Sequence, residues 1–149
     1  MAISIRRITC REAWDNPAWP KVLKEYGEDV RYPDLEPEPD YDLYLWLEIR
    51  GTLHIIGAFD DDRLVGVASY VTTNLPHFKG KKLASSESLW LDHDYRKHGI
   101  GRSLIQAAEQ AAKADGCYGF YWGVKRGTRA EQLFEKVATP MNTLFWRKL

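Results

Sequence analysis

The sequence predicts a mixed α/β (α+β) domain: a central, mostly antiparallel sheet of six to seven strands with helices on both faces. Three observations predict it. The β-prone runs Leu53–Phe59, Leu64–Val71 and Leu83–Leu91 follow one another with turn residues between them, as antiparallel neighbours do. The amphipathic stretch Gly101–Ala114 then separates Leu83–Leu91 from the apolar run Tyr118–Val124, and a strand–helix–strand unit of that length calls for a right-handed parallel crossover. Helical patterns lie both before the hairpins and after the crossover, so each face of the sheet has a cover.

In chain order, Ile3, Ile5 and Ile8 mark an opening strand, Ile3–Thr9. Asp15-Asn16-Pro17 reads as the start of a helix, a capping side chain followed by a proline that fits a first turn, and Gly27 stops that helix after Tyr26. Arg31 to Asp42 holds Pro33, Pro37 and Pro39 among five carboxylates, a density that excludes a helix interior and a central strand. Leu43–Ile49 fits either an alternating strand or one helical face, and periodicity leaves both open. Leu53–Phe59 and Leu64–Val71 form a hairpin about Asp60-Asp61-Asp62, with Gly66 at a bulge or close approach. A polar loop, Asn74–Lys82, precedes the strand Leu83–Leu91. In Gly101–Ala114, Leu104, Ile105, Ala108, Ala111 and Ala112 share a stripe, and Asp115-Gly116 ends the helix. Tyr118–Val124 is a strand, Thr128–Ala138 a helix with Ala130, Leu133, Phe134 and Val137 inward, and Thr143–Arg147 a last strand.

The 149 residues suit one domain spanning 1–149, and no repeat or linker divides them. Lys plus Arg and Asp plus Glu number 21 each, so the net charge is zero. That balance argues against a dedicated nucleic-acid binder. Two cysteines, Cys10 and Cys117, make no C-x-x-C pair, and a reduced thiol state is expected over a single disulfide. No metal site is expected. The first residues lack the apolar run of a signal peptide, and no stretch approaches the ~20 apolar residues of a membrane span. The expected location is cytoplasmic.

The most informative stretch runs from Leu89 to Ile105. A strand ends, a short polar loop follows, and a long helix starts at Gly99 and Gly101. Glycines let backbone N–H groups converge on one point, and the helix adds free donors and the positive end of its dipole. Such a place favours a phosphate or pyrophosphate. Arg96, Lys97 and Arg102 add positive charge, and His93 and His98 lie close enough to touch it. The pattern is neither a Rossmann fingerprint, since position 104 is Leu, nor a P-loop, since no G-K-[ST] follows. A plain strand-to-helix turn is the structural alternative.

The run Asp92-His93-Asp94-Tyr95-Arg96-Lys97-His98-Gly99-Ile100-Gly101-Arg102-Ser103-Leu104 closely resembles motif A of the GNAT superfamily of acyl-CoA-dependent N-acetyltransferases. Arg96, Gly99 and Gly101 match its [Q/R]-x-x-G-x-[G/A] centre. The order of elements and Arg129–Lys136 resemble the family as well, so the likeness covers most of the chain. It implies an acetyl-CoA site in a V-shaped opening between two splayed parallel strands, here Leu83–Leu91 and Tyr118–Val124. Backbone amides of Lys97, His98, Gly99, Ile100, Gly101 and Arg102, beside Arg96, would hold the pyrophosphate. Backbone groups near Leu89 and Leu91 would pair with the pantetheine arm as an added strand does.

The implied reaction is direct attack of a neutral primary amine on the thioester, without a covalent acyl-enzyme. Glu87 is the expected base, and by alternation it shares a face with Leu89 and Leu91, away from Ser86 and Ser88. Its alternative is a cross-strand ion pair. The family's usual tyrosine acid is replaced by Phe134, which has no proton to give. Tyr121 is the candidate substitute, against a role as a core aromatic; a thiolate leaving unaided is the other solution. His54, His77, His93 and His98 are scattered and read as surface or loop residues. The carboxylates of Asp34–Asp42, with Tyr32, Tyr41, Tyr44 and Trp46 as aromatic walls, would attract a cationic amine; the alternative is a merely solvated loop. The acceptor would be a cationic small molecule or a protein amine. Two other functions stay open: a degenerate CoA-binding or regulatory domain, and an acetyltransferase acting on RNA-linked amines. Family members are often dimers, so a homodimer is a further expectation.

Overall fold

A computed structural model describes residues 2–149. Five strands form one sheet in the order β1 (Ile3–Ile8), β2 (Leu53–Asp60), β3 (Arg63–Asn74), β4 (Lys82–Leu91) and β5 (Gly119–Tyr121). The first three pairings are antiparallel and β4–β5 is parallel, so the predicted mixed, mostly antiparallel sheet is present. It has five strands rather than six or seven. The last strand expected at Thr143–Arg147 is not formed: residues 138–149 adopt neither helix nor strand. The sheet edge beside them, β5, is only three residues long and offers a short ladder. Leu144 and Phe145 are exposed, and the Trp146 ring packs instead against Tyr32 at 5.5 Å.

The opening helical region is two helices. Thr9 caps α1 (Cys10–Trp14) in a full capping box with Glu12. Pro20 sits in the first turn of α2 (Trp19–Val30), which runs through Gly27 rather than ending there. Leu43–Ile49 is helical, within α3 (Tyr41–Ile49). The Asp40 carboxylate accepts the Leu43 N–H at 3.0 Å, a cap that settles what periodicity left open. These three helices cover one face, where Ile8, Ile55, Val67 and Trp90 pack with Cys10, Ala13 and Val22. On the other face α4 (Ile100–Ala114) sets Leu104, Ala108 and Ala112 against Ile56, Ala58, Val65 and Ala68. Finally, α5 (Arg129–Val137) buries Phe134 against Trp122, ring centres 5.3 Å apart.

Both cysteines are free, and burial pushes the Cys10 thiol up to about 12, with Glu48 adding to the shift. Among the described residues, no helix is long and apolar enough to cross a membrane, and no cluster of His, Cys, Asp or Glu is arranged to hold a metal.

Candidate active site

The parallel pair β4–β5 is joined only at Leu83–Gly119, Ala84–Phe120 and Ser85–Tyr121. Beyond Ser85 the strands part, and a single bond, Gly123 N–H to Ser86 Oγ at 2.8 Å, crosses the gap. The expected strand Tyr118–Val124 is therefore cut to three residues because its partner diverges. From Ser86 to Leu91 the outer edge of β4 has no strand beside it. The Asp92 N–H reaches back to Val65 of β3 at 2.8 Å. Backbone groups alternate sides along a strand, so the N–H groups of Leu91 and Leu89 face the gap.

The turn between β4 and α4 follows. Asp92 is fully buried at the end of β4, and a 3-10 turn spans His93–Tyr95. Gly99, at φ 74°, occupies the left-handed conformation before α4, and no side chain caps that helix. The first-turn amides of Ile100, Gly101 and Arg102 are thus donors without intrahelical partners, at the positive end of a 15-residue helix. A Cβ on Gly101 would meet only Leu91, at an ordinary 3.4 Å, and its φ is not left-handed. Nothing within the chain requires glycine there, which fits close approach of a ligand. Lys97, His98 and Arg102 are exposed around this cradle. Arg96 is engaged elsewhere: its Nε donates to the Leu91 carbonyl at 3.0 Å and its guanidinium pairs with Asp29. Arg96 therefore closes the turn.

Glu87 stands at a β-bulge, since Ser69 pairs with Ser88 while Tyr70 pairs with Ser86. The extra residue breaks the alternation assumed from sequence. Glu87 does not share the face of Leu89 and Leu91, which pack toward α4; it turns with Ser88 to the α1–α3 side. Its Oε2 accepts the Ser69 hydroxyl at 2.7 Å, and Ser69 Oγ lies 2.6 Å from Ser88 Oγ. Tyr26 and Tyr44 sit nearby. Burial and the Glu87 carboxylate push Tyr26 up to about 12 and Tyr44 further up, so both hydroxyls stay protonated.

Beside Glu87 lies an apolar cleft that includes Trp14, Trp19, Tyr26, Tyr44, Ser88 and Trp90, with Pro39 of the acidic loop on its wall. Its free volume is about 30 Å³, room for a small substituent and not for a ring. The buried Trp19 indole N–H has no hydrogen-bond partner. Sequence reasoning named Tyr44 but missed Trp19, Tyr26, Ser69 and Ser88, which only the pairing of strands and helices brings together. Of the other expected aromatic walls, Tyr41 packs on Trp14, Tyr32 meets Trp146, and Trp46 is exposed beneath Arg50. Within the acidic loop Asp40 serves as the α3 cap and Glu36 pairs with Arg31 at 3.5 Å.

Tyr121 is exposed at the last paired residue of β5, where the strands part. His54 lies away from this region on β2, stacked on Tyr70 at 5.0 Å and facing Asp115, with burial lowering its pKa. His77 packs at a tilt on Phe78 in the β3–β4 loop, and His93 borders Glu25 and Asp29.

A strand pair that opens, followed by an uncapped, glycine-led helix, offers free backbone donors that suit an anionic group. The chain belongs to the GNAT acetyltransferases: the family model described as Acetyltransferase (GNAT) family matches residues 19–138. It is thereby an acyl-CoA-dependent N-acetyltransferase, and its reaction class is acetyl transfer to an amine. Solved structures agree in fold. A ribosomal-protein-alanine N-acetyltransferase from Brucella melitensis biovar Abortus 2308 superposes with TM-score 0.75 at 19% identity, covering 100% of this chain and 99% of that one. An aminoglycoside acetyltransferase from an uncultured soil metagenomic sample, in complex with sisomicin, gives 0.75 at 18% identity over 99% and 96% of the two chains. The aminoglycoside N-acetyltransferase AAC(6')-Iy in complex with CoA gives 0.71 at 15% identity over 99% and 95%. Among curated proteins, none matches the sequence.

Proposed function

We propose that the chain transfers the acetyl group of acetyl-CoA to a primary amine by direct attack, with Glu87 as the base. Acetyl-CoA supplies a thioester whose C–S bond breaks as the amine's C–N bond forms. The amides from Lys97 to Arg102 hold the pyrophosphate, and the Leu89 and Leu91 N–H groups bond the pantetheine arm along the free edge of β4. One of those donors also polarises the thioester carbonyl. Glu87 takes the proton the amine loses. The single observation carrying this reading is the bulge in β4: it turns the Glu87 carboxylate to the side of the apolar cleft while the strand's other edge stays open.

The acceptor is a cationic small molecule or a protein amine. Glu87 and the unpaired carboxylates of the Asp34–Glu38 segment would favour its approach, and Pro39 links that segment to the cleft. The small cleft and the open Trp19 donor suit a compact apolar substituent next to a hydrogen-bond acceptor. Tyr121 is the candidate donor of a proton to the departing thiolate. CoA leaves as thiol, or as thiolate if Tyr121 plays no part.

Calorimetric titration with acetyl-CoA tests the donor half. Saturable one-site binding, lost in Gly101→Asp, is expected; failure of the unaltered protein to bind would remove the catalytic reading. Buried Phe134 has no proton to give a departing thiolate, and CoA release with a panel of amines tests the acceptor half.

A further inference from the structure

Helix α2 has two functional faces. Trp19, Val22, Leu23 and Tyr26 line the acceptor-side cleft. The row Lys21, Glu25 and Asp29, spaced four residues apart, faces the cofactor turn and grips it at three successive points. Lys21 Nζ donates to both Asp92 oxygens at 2.8 and 2.9 Å and to Asp94 at 3.2 Å. Glu25, itself buried, accepts the Trp90 indole N–H at 3.2 Å and the His93 N–H at 3.3 Å. Asp29 pairs with Arg96 and lies 3.5 Å from His93 Nε2. Arg96 in turn holds the Leu91 carbonyl at the mouth of the gap.

Alone, α2 is a weak helix. Ala18 gives it no side-chain cap, its last turn has no basic residue, and Gly27 lies in its interior. Its order therefore depends on what its faces touch. The turn Asp92–His98 is mostly exposed and is the segment a bound pyrophosphate would immobilise.

Resting on the reading of the donor site above, we propose that the Lys21–Glu25–Asp29 row couples the two half-sites. These are positioning residues: occupancy of the cofactor turn stiffens α2 through them and so preforms the acceptor cleft. The coupling is one of order and needs no displaced conformation. By reciprocity, an amine in the cleft tightens acetyl-CoA binding by the same factor.

Hydrogen exchange of the full chain with and without saturating acetyl-CoA tests this. In the unaltered protein acetyl-CoA should slow the Ile100–Ser103 amides and also those of Val22–Val30, the latter about tenfold, within the usual range for coupled sites. In Asp29→Asn and Lys21→Met the Ile100–Ser103 protection should remain while the α2 response is lost, and Lys21→Arg should restore it. A purely structural row would lower α2 protection equally with and without ligand. Protection at Ile100–Ser103 with no α2 response in the unaltered protein overturns the coupling alone. No protection anywhere overturns the donor-site reading and the coupling with it.

Discussion

Glu87 owes its position to one extra residue in β4. Without the bulge it would point toward α4 and away from Tyr26 and Tyr44. Glu87→Gln keeps the shape and the Ser69 contact but removes the basicity. We expect kcat to fall about 10²–10³-fold, with binding of acetyl-CoA nearly unchanged, by steady-state kinetics and calorimetry. Asp92 is the other decisive residue. Burial opposes its ionisation, but bonds from Lys21 and the Asp94 amide, with Arg63 alongside at 3.0 Å, outweigh that and hold its carboxyl below the usual range. A carboxyl lowered by folding stabilises above its unfolded value of ~3.9, and that contribution is lost as pH falls through the folded value. Asp92→Asn should therefore lose about 2–3 kcal/mol at neutral pH in urea unfolding, and the difference should shrink toward strongly acid pH.

At the scale of elements, the two glycines at the start of α4 do different work. Gly99 is demanded by its backbone, whereas Gly101 is demanded by nothing in the protein. Gly99→Ala should destabilise by about 1–2 kcal/mol, the cost of a left-handed residue with a Cβ. Gly101→Ala should leave thermal stability unchanged or slightly raised, yet weaken acetyl-CoA binding. Equal loss of stability in both variants would contradict this division. The helices show how local signals decide between patterns. Leu43–Ile49 alternates as a strand would, but the Asp40 cap and the packing of Tyr44 and Leu47 on the core make it helical. Gly27, a stop signal on its own, is carried inside α2 because Lys21, Glu25 and Asp29 bind the turn on either side of it.

At the scale of the molecule, the sheet is complete without the C-terminal segment. Residues 143–149 bury little and join no ladder; their one ring contact is Trp146 on Tyr32. Deleting them should lower Tm by less than about 4 °C, roughly 1 kcal/mol for a chain of this size. A larger drop would mean that the segment pairs with a sheet edge in solution.

The sequence by itself determined the class of fold, the order of most elements and the glycine turn that opens α4. Those are carried by local signals: alternation in β2 to β4, the apolar stripe of α4, and glycines at fixed offsets before a helix. Tertiary structure alone decided which face Glu87 takes, that Arg96 closes the turn, that Thr143–Arg147 stays unpaired, and that Trp19, Tyr26, Tyr44 and Ser88 share a cleft. The physical reason is the same in each case. A bulge, a strand's missing neighbour and a side chain's partner depend on residues distant along the chain, and periodicity records only the near ones.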